Sequence, residues 1–229
     1  MEEWIMDVTP SASPERLYEA FSASGKALAS GKRLQLLDLL AQGERTVDSL
    51  AKAAGLNLTT ASAQLQILKQ AGFVATRREG VRIHYRLAGD DVAQLFALLR
   101  KVAERHHSAV PAARDAYLGH DGAAEVSREE LLTRVAAGEV VVLDVRPQEE
   151  YHAGHIPGAL SVPLGELADR VGELPRDVDI VVYCRGEYCV LAHDAVRLLA
   201  DRGRRAIRLS DGMLEWRLAD MPVAAGEPT

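Results

Sequence analysis

Cysteine is nearly absent from this 229-residue chain: there are two, Cys184 and Cys189, and none in the first 183 residues. Two thiols cannot build the disulfide framework of a small secreted domain, and in a reducing cytosol a close pair is more often catalytic, redox-active or metal-binding than a permanent staple. No apolar run reaches the ~18 residues of a membrane span. The acidic opening MEEWIMDVTP also lacks the basic-then-apolar order of a secretory leader. The expectation is a soluble, cytoplasmic protein with no membrane partner.

Positive charge is short overall, with a formal net charge of −6, which by itself argues against nucleic-acid binding. The deficit is unevenly spread. Residues 1–110 carry 14 Lys+Arg against 12 Asp+Glu, residues 111–229 carry 13 against 21, and residues 26–87 carry ten basic to four acidic. A basic stretch inside an acidic protein points to a local anionic partner.

That stretch has the pattern of a helical domain. TPSASPERLYEAFSASGKALAS places Ser13 as N-cap and Pro14 at the first helical position, with Leu17, Tyr18 and Phe21 at helical spacing. GKRLQLLDLLAQG repeats the pattern through Leu34, Leu37 and Leu40 and ends at Gly43. TVDSLAKAAGLNLTTASAQLQILKQAGFV predicts two helices broken at Gly55 and Asn57, with Leu50, Ala54, Leu65 and Leu68 facing inward, which is a helix-turn-helix.

VATRREGVRIHYRLA then alternates on either side of Glu79-Gly80 and predicts a hairpin. Val81, Ile83, Tyr85 and Leu87 are expected on its core face, Arg82, His84 and Arg86 on the other, with Arg77 and Arg78 beside the turn. Such a hairpin suits phosphate contacts while the preceding helix enters a major groove. The last helix of this half carries Val92, Leu95, Leu99 and Val102 as an apolar stripe. Pairing with a second copy would set two recognition helices one DNA turn apart.

Over residues 14–110 this order of elements resembles the ArsR-type winged-helix regulators. The resemblance places Thr59, Thr60, Ser62, Ala63, Gln64 and Gln66 on or beside the exposed face of the recognition helix, with the glutamines toward base edges and the hydroxyls toward phosphate. Many members sense metals or metalloids, often through cysteines that this half lacks. The remaining candidates, Glu104, His106 and His107, read better as a solvated helix end, since adjacent helical histidines point about 100° apart.

Pro111, LGHDGAAE and the charge shift predict a connecting segment over 111–125. Beyond it, SREELLTRVAAGE opens with a Ser127-to-Glu130 capping box. VVVLDV and DIVVYC are short apolar strands, and LAHDAVRLLADRG is helical. This order predicts a small parallel sheet covered by helices, whose ligands sit beyond the carboxyl ends of the strands, where Cys184 falls. A loop entering a helix there turns backbone N–H groups inward and favours a thiolate or a persulfide anion. Arg185 is the loop's cation and Glu187 opposes it.

LDVRPQEEYHAGHIPGALSVPL, YCRGEYC and LSDGMLEWRLADMPV together resemble the signatures of rhodanese domains over residues 126–224. The resemblance implies that Cys184 is the nucleophile that carries sulfane sulfur, that Asp144 and Arg146 support its loop, and that His155 is a packing residue. The sixth loop residue, Cys189, stands where many sulfurtransferases have arginine. Cys189 has three readings: a buried structural thiol, a thiol that resolves or senses a Cys184 persulfide, or a zinc ligand with Cys184 and His193.

The expected fold class is therefore a mainly α winged helix-turn-helix with an α+β wing, followed by an α/β rhodanese domain. The expected function is a homodimeric regulator of a double-stranded DNA operator that carries or senses sulfane sulfur, with a small sulfur donor, a thiol acceptor and no cofactor or metal. The alternatives are a sulfurtransferase enzyme whose winged helix serves autoregulation or dimerisation, and a metalloid-linked regulator with an arsenate-reductase-like loop.

Overall fold

The computed structural model describes residues 14–119 and 122–226. Ser13, the expected first N-cap, lies outside the described residues. Helix α1 (Pro14–Leu28) begins at its proline, but Leu17, Tyr18 and Phe21 are left exposed among the described residues. Helix α2 (Gly31–Leu40) buries Leu36, Leu37, Leu39 and Leu40 and is capped at Ala41, before the expected Gly43.

The short strand β1 (Arg45–Thr46) leads into α3 (Val47–Ala53), capped by the Thr46 side chain, which accepts from the Ser49 N–H. Gly55 makes the turn at φ +63°, whereas Asn57 serves as the cap of α4 (Leu58–Gln70) and accepts from the Thr60 N–H. Strands β2 (Val74–Glu79) and β3 (Arg82–Leu87) form the hairpin, and β1 joins them in the order β1-β3-β2. That third strand carries no sequence signal, because two residues are too few for alternation to register.

The hairpin departs from expectation at its tip. Tyr85 is buried, but Val81 is 94% exposed and Ile83 is exposed as well, so the core face exists only at the base. The tip projects beyond the body of the domain, where a side chain on either face meets solvent. Helix α5 (Asp90–His106) turns Val92 and Phe96 into the core and leaves Leu95, Leu98 and Val102 outside. Helix α6 (Ala109–Leu118) occupies much of the expected connecting segment, and Arg197 holds its end by donating to the Leu118 carbonyl at 2.6 Å.

In the second half β4 (Glu125–Val126), α7 (Arg128–Ala136), β5 (Val140–Asp144), α8 (Gln148–Ala153), β6 (Leu160–Ser161) and α9 (Leu164–Arg170) follow in turn. Ser127 caps α7 by accepting from the Glu130 N–H. After a 3-10 turn come β7 (Asp179–Tyr183), α10 (Val190–Asp201), β8 (Ala206–Leu209) and α11 (Met213–Leu218). The five strands pair in parallel in the order β4-β8-β7-β5-β6. Both faces are covered, one centred on Leu143, Ile180 and Leu199, the other on Val181, Tyr183 and Trp216. Cys184 leaves the end of β7 beside β5, where the connections diverge and open sheets bind ligands.

Candidate functional site

The Cys184 loop runs from the end of β7 to Cys189, the N-cap of α10. Both cysteines are free thiols and both are buried, Cys184 at 2% and Cys189 at 9% exposure. The Cys184 Sγ donates to the Cys189 carbonyl at 3.3 Å. Burial pushes the Cys184 thiol well up, aided by Cys189, while hydrogen bonds from the backbone at Ala192 and Gly186 act the other way. The hydrogen bond from Cys184 holds the Cys189 thiol below its ordinary value, with Arg185 adding to the effect. The expectation of a Cys184 thiolate thus needs correction: the inward N–H groups are present, but desolvation outweighs them and the lowered thiol is Cys189.

Arg185 also differs from expectation. Its guanidinium does not face Glu187 but forks onto Glu150 of α8, Nη2 to Oε1 at 2.7 Å and Nε to Oε2 at 2.9 Å. Glu150 is itself buried and lies 3.4 Å from Arg45. Glu187 lies near Glu215 and Arg100 instead; burial and then the Glu215 charge push its carboxyl up.

Asp144 and Arg146 form an ion pair with no solvent exposure, Nη2 to Oδ2 at 2.6 Å. Tyr183 donates to the same Asp144 oxygen at 2.5 Å, and Arg146 reaches the Gly154 carbonyl. Both stand at the end of β5, the strand beside β7, and brace it against Tyr183 and Gly154. His155 is buried, stacked on Tyr151 at 3.7 Å between ring centroids, with Nδ1 at the Tyr151 carbonyl. Among the described residues no three His, Cys, Asp or Glu side chains gather as metal donors. His193 Nδ1 instead lies 3.2 Å from Arg208.

The two halves meet at this loop. Gln42, just past α2 and fully buried, donates to the Arg185 carbonyl at 3.2 Å and accepts from Arg146 Nη1 at 3.1 Å. The Leu214 N–H donates to the same Arg185 carbonyl at 2.9 Å, and the Leu214 side chain is buried in the core of the helix-turn-helix domain. Arg217 of α11 donates to the Ala41 carbonyl at 2.6 Å, and Arg45 pairs with Glu149. A β-carbon on Gly212 would overlap the Gly186 and Arg185 backbone, so only glycine permits this approach of α11 to the loop.

On the expected DNA face, Thr59, Ala63 and Gln66 are exposed and Thr60, Ser62 and Gln64 half-buried. Both glutamines have partners within the chain: Gln64 accepts from Arg33 at 2.8 Å, and Gln66 donates to the Tyr85 hydroxyl at 3.0 Å. At the wing Arg82 and Arg86 are exposed, Arg78 donates to the Gly80 carbonyl, and Arg77 is held by Glu44 and Glu79. Glu104 pairs with Arg114, while His106 and His107 lie exposed at the end of α5.

Residues 30–76 match the bacterial regulatory protein arsR family, and residues 127–219 match the Rhodanese-like domain. An HTH-type transcriptional regulator of Mycobacterium tuberculosis is 59% identical over 212 residues, 93% of each chain. The chain belongs to the ArsR-type transcriptional regulators that carry a rhodanese-like domain. This regulator is also similar to a sulfurtransferase of Allochromatium vinosum, 33% identical over 105 residues that make up 45% of this chain and 96% of the relative. A solved structure from Mycobacterium bovis, described as a homodimeric winged helix-turn-helix DNA-binding domain, is 55% identical over 44% of this chain and 94% of its own, with a TM-score of 0.40. Among the regulator's described residues no helix is long and apolar enough to cross a membrane.

Sequence reading missed the residues that join the regulator's two domains. Gly212 carried a signal, standing at the head of a short helix within the motif LSDGMLEWRL. Gln42 and Glu150 carried none. Each is an ordinary polar residue by pattern, and each meets the other half of the chain more than a hundred positions away, Gln42 at Arg185 and Glu150 at Arg45.

Proposed function

We propose that the regulator binds double-stranded DNA as a homodimer and that sulfane sulfur held at the Cys184 loop biases its DNA-bound state. The observation that carries this reading is the Arg185 carbonyl, shared between Gln42 of the DNA-binding half and Leu214 of the rhodanese half. A ligand biases an equilibrium only through contacts that differ between the two states. The loop backbone one residue after Cys184 is placed to serve as such a contact.

Supporting the DNA half of the proposal are the polar face of α4 and the projecting wing with Arg82 and Arg86. Supporting the dimer are the exposed apolar residues Leu95, Leu98 and Val102 of α5 and Leu17, Tyr18 and Phe21 of α1, which a second copy would cover. In the sulfur half, Cys184 ends as a persulfide taken from a small persulfide donor. Attack of the Cys189 thiolate on the inner sulfur then expels hydrosulfide and leaves a Cys184–Cys189 disulfide. Either product adds bulk or a covalent tie to a closely packed loop, which must move the Arg185 carbonyl.

The test is DNA affinity by fluorescence anisotropy with and without a persulfide donor. The wild type is expected to change affinity and Cys184→Ser to stay constant; an equal response of both removes the sensing role. A second reading, a working sulfurtransferase, is favoured by the similarity to the Allochromatium vinosum protein. Turnover of persulfide or thiosulfate with a thiol acceptor, abolished by Cys184→Ala, would support it.

A further inference from the structure

The two cysteines face different surroundings. Cys189 lines a cavity of about 250 Å³ that lies between the loop and helices α2 and α5. Cys184 has no part in its lining and sits behind Cys189, against the Cys189 carbonyl. With the domains packed as they are, a molecule in this cavity borders Cys189 and not Cys184.

The walls describe the visitor. Leu34, Phe96 and the ring of Tyr188 make the cavity largely apolar. Its cation, Arg100, lies over the Tyr188 ring at 4.4 Å and the Phe96 ring at 5.5 Å. That charge is already met by Asp38 at 3.7 Å and Glu215 at 3.6 Å. A doubly charged oxyanion such as thiosulfate would find a paired guanidinium and a carboxylate in the wall, whereas an alkyl group would find rings and methyls.

We propose that this cavity is the entry site for a small alkyl persulfide, and that the sulfur passes from the donor to Cys189 and then to Cys184. The proposal rests on the sulfane-sulfur reading above and adds its route and donor class. In the first step the Cys189 thiolate attacks the terminal sulfur of R–S–SH, the S–S bond breaks, and the leaving alkyl thiolate takes up a proton. In the second the Cys184 sulfur attacks that same terminal sulfur on Cys189–S–SH, the S–S bond to Cys189 breaks, and the Cys184 proton passes to the departing Cys189 sulfur. Each step moves one sulfane sulfur between thiols without net oxidation. The contrast between the lowered Cys189 thiol and the raised Cys184 thiol agrees with this order. The backbone at Ala192 and Gly186, which acts to lower the Cys184 thiol, favours an anion held there.

Time-resolved intact mass spectrometry of the full chain, with propyl persulfide generated in the assay and thiosulfate as comparison, tests the route. Wild type is expected to gain one sulfur at Cys184 first and then, where Cys189 resolves it, to lose two hydrogens relative to the starting dithiol, and Cys184→Ala to gain one sulfur at Cys189. Cys189→Ala is expected to load roughly tenfold or more slowly, because its entry thiol is gone. Gln35→Trp, an exposed position at the cavity rim, should also slow loading without touching either thiol. Thiosulfate should load the wild type more slowly than propyl persulfide does. Loading of Cys189→Ala at the wild-type rate, or of Gln35→Trp at that rate, overturns the entry route while leaving sulfur storage at Cys184 intact. A wild type that at no time gains sulfur or loses two hydrogens overturns both.

Discussion

Gln42 and Arg185 lie 143 positions apart in the chain and are joined by one hydrogen bond, from the Gln42 amide to the Arg185 carbonyl at 3.2 Å. The same amide oxygen accepts from Arg146, whose guanidinium is otherwise committed to Asp144 and Gly154. One buried side chain therefore ties the end of α2 to both strand ends flanking the cysteine loop. Gln42→Leu keeps the volume and removes both bonds, leaving a charged N–H of Arg146 without its partner. A loss of about 1–3 kcal/mol in denaturant unfolding is expected. DNA affinity should persist while its dependence on persulfide disappears; a response matching wild type would sink the coupling role.

Gly212 separates tight approach from mere flexibility. Gly212→Ala puts a methyl into the backbone of Arg185 and Gly186, neither of which has a flexible end that can move aside. About 1–3 kcal/mol of destabilisation is expected from overpacking, together with slower sulfur loading. Gly165→Ala is the control: it lies within α9 and has open space around it, so it should be neutral or stabilise by about 0.5–1 kcal/mol. Thermal unfolding of the two variants side by side checks the contrast.

The wing arginines are not equivalent. Arg77 is held by Glu44 and Glu79, while Arg82 sits exposed near the tip. Binding to a random-sequence duplex, measured across a salt series, should lose about 0.9 of its log–log slope for each phosphate contact removed. Arg82→Ala and Arg86→Ala are expected to flatten the slope in this way. Arg77→Ala should change it less, since its charge is already answered within the protein.

The thiol pair makes a prediction in pH. Cys184 lowers Cys189 chiefly by donating a hydrogen bond to it. Cys184→Ala removes that donor, so the pH at which Cys189 alkylates with iodoacetamide should rise. Conversely, Cys189 adds to the upward push that burial exerts on Cys184. Cys189→Ala should therefore move Cys184 alkylation to lower pH, though burial keeps it above the ordinary thiol value. Alkylation midpoints that do not move in either variant would show that the thiols do not share a proton.

The chain's local order determined much on its own. Leu50, Leu65 and Leu68 marked the helix-turn-helix by their spacing. The apolar runs ending at Asp144 and Tyr183 marked a parallel sheet, and the position of Cys184 after one of them marked the loop. These signals are legible because helix and strand periods repeat over neighbouring residues. What only the tertiary structure decided is how the two halves touch, and with it which cysteine borders the cavity between them. The buried setting of Gln42, the approach of Arg45 to Glu150 and the cavity beside Cys189 arise from surfaces brought together across more than a hundred residues, while Cys184 is buried in the core of its own half. No local period records such a meeting, because burial of a polar group is a property of the completed surface around it.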